Sequence, residues 1–87
     1  MKHTLQGTAK TRQVFLDGKE LDPGPSQKYH NHSPDGFNWG YGGSGPAQLA
    51  LAIMLEITGK AADYQAFKWH VISQLPQNQD FTITFEF

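Results

Sequence analysis

Pro46-Ala47-Gln48-Leu49-Ala50-Leu51-Ala52-Ile53-Met54-Leu55-Glu56-Ile57-Thr58-Gly59 is the stretch on which the fold turns. Pro46 suits the first position of a helix, where a missing N–H costs nothing. Gly59 suits the left-handed stop just beyond its end. The spacing predicts a helix over residues 46–58. Its apolar side chains cover most of the circumference, so it belongs at the centre of the molecule, covered on all sides by other elements. The flanking segments have to supply that cover.

Downstream, Asp63 suits the N-cap of a second helix, placed over 63–75 with its cap. Tyr64, Phe67, Val71 and Leu75 fall on one face, and Pro76 ends it. Phe81-Thr82-Ile83-Thr84-Phe85-Glu86-Phe87 then alternates apolar and polar residues strictly. That period predicts a strand over 80–87 with one dry face. Upstream, residues 1–22 read as strands. Asp17-Gly18 after Gln13-Val14-Phe15-Leu16 marks a two-residue hairpin turn flanked by Leu16 and Lys19, since both central residues of a type I′ turn need positive φ. An earlier strand, about residues 3–8, turns at Ala9-Lys10-Thr11. Asp22-Pro23-Gly24-Pro25 closes this region, because proline lacks a ladder donor. The expectation is one α+β domain over 1–87, with the order β-β-α-α-β. The N-terminal hairpin and C-terminal strand would form a small antiparallel sheet packed on two helices.

Composition narrows the function. A chain of 87 residues builds one core and buries only about 60–65% of the surface exposed on unfolding. Self-association is one way such a chain completes its stability. Seven Lys and Arg against eight Asp and Glu leave a net charge of −1, which disfavours general nucleic-acid binding. No cysteine means no disulfide framework and no thiolate chemistry. Neither a signal peptide nor an apolar run long enough to span a bilayer is legible, so a cytoplasmic location away from membranes is expected.

Residues 23–45 carry six of the nine glycines, together with His30, His32, Phe37, Trp39 and Tyr41. Aromatic residues in such a segment predict an ordered loop folded back on the domain. Twenty consecutive residues, 36–55, have no charge at all. The loop leads straight into the central helix, whose first N–H groups lack partners and carry partial positive charge. A ligand phosphate or carboxylate could approach there over Trp39, Gly40, Tyr41, Gly42, Gly43, Ser44, Gly45 and Ala47, in a concave pocket at 40–46. The same glycines also suit a purely architectural role, where packing leaves no room for a Cβ. Gly40-x-Gly42-x-x-Gly45 has dinucleotide-binding spacing but lacks the parallel βαβ setting that gives it meaning. No Lys-Ser/Thr follows, which excludes a phosphate-binding P-loop, and Pro46 breaks the nucleophile-elbow pattern around Ser44.

His30-Asn31-His32 with Asp35 forms a second, polar candidate, with His70 or His3 as further ligands were it to hold a metal. The ligand set falls short of a structural metal motif, and neither metal nor cofactor is expected. Lys68-Trp69-His70 lies on the second helix with Trp69 off its apolar face. The favoured placement for Trp69 is against the long loop, the alternative an exposed interface.

The run from His32 to Ile53, with its Gly-Phe-Asn-Trp-Gly-Tyr-Gly-Gly-Ser-Gly-Pro-Ala-Gln-Leu centre, resembles the signature of a family of small uncharacterised proteins of bacteria and archaea, their phages and plasmids. Val14-Phe15-Leu16-Asp17-Gly18, Tyr64-Gln65-Ala66-Phe67-Lys68-Trp69 and Leu75-Pro76 extend the resemblance along the chain. It implies that the glycine-aromatic loop and the following helix act as a unit, and it implies no activity.

Three readings follow. The first is a non-enzymatic binding module holding a small anionic or nucleotide-like ligand at the loop and helix N-terminus. The second is a protein-interaction or homo-oligomer domain, such as an inhibitor of a host factor, with the uncharged loop or Trp69 as interface. The third is a small metal-dependent or His/Asp enzyme using His30, His32 and Asp35.

Overall fold

A computed structural model of the chain describes residues 1–86; the terminal Phe87 of the expected last strand lies outside the described residues. The molecule is α+β. Strands β1 (Lys2–Thr8), β2 (Gln13–Leu16), β3 (Lys19–Glu20) and β4 (Phe81–Glu86) form one antiparallel sheet in the order β3-β2-β1-β4. Helices α1 (Gly24–Tyr29), α2 (Ser44–Thr58) and α3 (Tyr64–His70) and a short 3-10 turn (Ile72–Gln74) lie between β3 and β4 in the chain.

The hairpin turn forms where Asp-Gly demands it. Asp17 and Gly18 have φ of 54° and 81°, and Leu16 pairs with Lys19 across the turn. The C-terminal strand enters beside β1, with Leu5 opposite both Leu16 and Ile83. This register puts His3, Leu5 and Gly7 of β1 on the same face as Val14 and Leu16 of β2 and Phe81 of β4, all buried. On the opposite face Gln6 and Thr82 are exposed. The dry face joins Leu49, Ala50, Ile53 and Met54 of α2 in one core, with Phe67, Ile72 and Leu75 from the following elements. Ten consecutive residues of α2, from Gly45 to Met54, are buried, as expected of a helix with no polar stripe.

Four local expectations are corrected. The segment 23–45 is not one long loop, because Gly24–Tyr29 is helical. Asp22 Oδ1 accepts the Gly24 N–H at 2.9 Å, and Pro25 falls in the first turn, where its missing donor costs nothing. The central helix starts at Ser44, two residues before Pro46. Pro46 therefore occupies the third position, still among the N–H groups without an intrahelical partner. The second helix stops at His70 and continues as the 3-10 turn. Ser73 Oγ in the 3-10 turn donates to the Trp69 carbonyl of the helix at 2.8 Å, and the Gly40 N–H donates to the Ile72 carbonyl of the turn at 3.0 Å. Asp63 does not cap α3 with its side chain. It sits in the left-handed region at φ 61°, which Asp tolerates, and its carbonyl accepts the Phe67 N–H.

The candidate site: the glycine-aromatic loop and its two tryptophans

Trp39 anchors the loop. Its side chain is fully buried, stands edge-on to Phe81 with centroids 4.8 Å apart, and donates from Nε1 to the Gln79 carbonyl at 3.1 Å. The Arg12 guanidinium lies 5.2 Å from its ring centroid, and Arg12 Nη2 reaches Asn78 Oδ1. Trp39 therefore ties the loop to the β1–β2 turn and to the approach of β4. It faces the core and is fully buried, away from the surface by which a ligand would approach the loop. Ala47 is likewise buried in α2.

The glycines that follow lie against the chain's own atoms. A Cβ on Gly40 would stand 2.5 Å from the Gln77 backbone Cα, and Gly40 has φ 86°. A Cβ on Gly45 would meet Asn38, one on Gly43 the Tyr41 ring, and one on Gly42 the Trp69 ring. Trp69 thus packs on the loop, the favoured placement, while remaining 55% exposed. Tyr41 is 38% exposed. Gly42 and Ser44 are exposed. Lys68 is buried beside this patch, with Nζ 4.4 Å from the Trp69 ring centroid. The N-cap of α2 is Gly43, in extended conformation, with no side-chain cap and no acidic residue in the first turn.

Cavities open elsewhere. One of about 530 Å³ is lined by Met1, His3, Leu16, Asp17, Lys19, Glu56 and Ile57. Another of about 210 Å³ adjoins it at Leu16, Lys19 and Glu56. Neither is lined by residues 40–46. In the larger one His3 Nδ1 and Asp17 Oδ2 are 2.7 Å apart. The hydrogen bond from His3, and a second from the Thr4 N–H, hold the Asp17 carboxyl below its ordinary value.

The polar candidates divide. The imidazoles of His30 and His32 stack in parallel, 4.0 Å between centroids and 3° between planes. His32 Nε2 is 2.8 Å from the Tyr64 hydroxyl on α3. Asp35 is exposed and has no hydrogen bond to either ring, and among the described residues no group of three or more His, Asp or Glu is disposed to hold a metal ion. His70 is exposed on α3, and His3 is engaged with Asp17 across the sheet.

The residue that sequence reasoning missed is Gln48. It is fully buried in α2, and its amide uses its hydrogen-bonding capacity in full. Oε1 accepts the N–H groups of His32 at 2.7 Å and Ser33 at 2.9 Å. Nε2 donates to Ser26 Oγ at 2.8 Å and to the His30 carbonyl at 3.2 Å. Ser26 Oγ in turn donates to the Pro23 carbonyl. One side chain of the central helix therefore holds α1 and the turn after it. The available signal was a lone amide amid the apolar residues of that helix.

The loop, the helix it enters and the strands that receive it are a single matched unit, since one family model covers residues 3–86. The chain belongs to DUF6166, a family of unknown function. The match takes in all three helices and reaches from the first strand to the last. No curated protein and no solved structure matches the chain. Membership in DUF6166 assigns no reaction, and among the described residues no helix is long and apolar enough to cross a membrane.

Proposed function

We propose that the chain is a non-enzymatic interaction module, and that the occupant of its docking face is a second copy of itself. The carrying observation is the exposure of Trp69, seated on Gly42, together with Tyr41 against Gly43. Tyr and Trp are enriched in interface cores because they offer large, rigid, amphipathic area at small entropic cost. The uncharged stretch 36–55 lets two copies meet there without like-charge contacts from the loop, and a net charge of −1 adds little general repulsion. A domain this small also gains stability by associating.

Sedimentation equilibrium tests this. The wild type is expected to show a monomer–dimer equilibrium in the micromolar to millimolar range, on the order of −4 to −8 kcal/mol. The Tyr41→Ser/Trp69→Ser variant is expected to remain monomeric with its cooperative unfolding intact. A wild type that is monomeric throughout that range overturns the proposal.

A second reading rests on a different observation. The first turn of α2 has neither a side-chain cap nor an acidic residue, leaving its N–H groups to other acceptors. A small anion or nucleotide at 42–47 is the ligand this reading takes. A thermal-shift series with phosphate and nucleotides distinguishes it: a ligand at one hundred times its Kd stabilises by about 2.7 kcal/mol. A flat series removes it.

A further inference from the structure

The turn at residues 30–33 joins two features that pull on the same atoms. Its backbone is held by a neutral amide, through the His32 and Ser33 N–H groups on Gln48 Oε1 and the His30 carbonyl on Gln48 Nε2. Its side chains place two imidazoles face to face at 4.0 Å. Neutral imidazoles stack at this distance at no electrostatic cost, whereas two imidazolium rings repel.

Among the described residues no carboxylate pairs with either ring. From α3, the Tyr64 hydroxyl bonds His32 Nε2, and the neighbouring titratable group is the Lys68 ammonium. From α2, the facing group is the uncharged Gln48 amide. From the turn itself it is His30. Asp35 and Asp63, the carboxylates nearest in sequence to the turn and to Tyr64, form no ion pair or hydrogen bond with either ring.

We propose that the His30–His32 stack is an acid-sensitive latch: the stacked rings keep the 30–33 turn docked on α2 and α3, and protonation of His32 releases it. The released segment bares the Gln48 amide and loosens α1, which the same amide holds through Ser26. Burial holds His32 below its ordinary value of 6.5, and His30 and Lys68 push it in the same direction. The open turn therefore takes up protons at a higher pH than the closed one. The latch is fully closed above the ordinary histidine value and weakens as pH falls from there through the folded His32 midpoint. The latch stands independently of the self-association proposed above.

The test is NMR on the whole chain between about pH 7.5 and about pH 5, spanning the ordinary histidine range. The His32 ring is expected to titrate below 6.5, the ordinary value. Hydrogen-exchange protection of the His32 and Ser33 amides is expected to fall several-fold over the same range, while that of Ile53 in the core stays constant. In His32→Asn, which keeps a polar group without a proton to gain, the pH dependence of Ser33 protection is expected to disappear. In His30→Ala the His32 midpoint is expected to rise. A His32 midpoint at or above the ordinary value, or the same loss of Ser33 protection in His32→Asn, overturns the latch. Should His32→Asn lose its folded spectrum, His30→Ala decides alone, and an unmoved His32 midpoint in it overturns the proposal.

Discussion

Gln48 Oε1 accepts the His32 backbone N–H at 2.7 Å from within a fully buried stretch of the central helix. The geometry of the loop depends on this bond and on its neighbour to Ser33. Gln48→Leu, close in volume, leaves the Ser33 N–H without its acceptor and the His32 N–H with only the His30 carbonyl at 3.1 Å. Burial of an unpaired donor costs about 1–3 kcal/mol, and a loss of that order is expected, discounted where the turn opens to water. Urea unfolding measures it. A Gln48→Leu protein as stable as the wild type contradicts the assignment of Gln48 as the organiser of the turn.

The two tryptophans are expected to answer oppositely to truncation. Trp39→Ala removes a fully buried ring from contact with Phe81 and Arg12 and is expected to cost roughly 3–5 kcal/mol. Trp69→Ala removes a largely exposed ring and is expected to cost under about 1 kcal/mol. Chemical denaturation at a concentration low enough to keep the chain monomeric compares them. Equal losses would show that Trp69 is a core residue rather than a surface one.

Two left-handed glycines separate strain from collision. Gly59 has φ 74° with nothing near the position of a Cβ, so Gly59→Ala is expected to cost about 1 kcal/mol of backbone strain. Gly40 has φ 86° and also faces the Gln77 backbone at 2.5 Å. Gly40→Ala is expected to cost at least 1–3 kcal/mol more, because backbone has to move as well. Thermal unfolding reads the difference, at roughly 4–8 °C per kcal/mol for a domain of this size. Equal shifts would mean that the close approach of Gly40 to Gln77 carries no energetic weight.

Acid stability should report the His3–Asp17 pair. The folded-state pKa of Asp17 is lowered, first by the hydrogen bond from His3 and then by that from the Thr4 N–H. The unfolded chain therefore binds this proton at higher pH than the folded one. The stabilisation is present above the ordinary value of 3.8 and is lost as pH falls through the folded value. Asp17→Asn keeps a residue suited to the turn at φ 54° while removing the carboxylate. Its stability is expected to fall less steeply than that of the wild type below the ordinary carboxylate value. Parallel acid limbs in the two proteins would show that Asp17 is not a linked group.

The strands were legible because their signals are local. Asp17-Gly18 specifies its turn by backbone conformation, and the alternation after Phe81 specifies a face without reference to any partner. The central helix was legible from its apolar run and Gly59. Helix α1 was not, since Gly-Pro-Ser-Gln-Lys-Tyr has weak helical propensity and is held by a tertiary bond from Gln48 to Ser26. The early end of α3 was hidden as well: Ser73 Oγ takes the Trp69 carbonyl, and the Gly40 N–H takes the Ile72 carbonyl of the 3-10 turn that follows. In the candidate site the glycine-aromatic composition did not separate Trp39, which turns inward, from Tyr41, which turns out, because that choice is made by the distant Phe81, Arg12 and Gln79. Strand order and the Gln48 network are likewise products of long-range pairing.

The most direct measurement of self-association through the Trp69–Gly42 face is a dilution series followed by amide and indole NMR shifts, from about 1 mM to about 20 μM, where weak protein contacts dissociate. Concentration-dependent shifts are expected at residues 41–44, at 68–70 and at the Trp69 indole N–H, with the Trp39 indole unmoved. Shifts that are absent across the series, or that cluster on the outer edge of β4 instead, contradict the account.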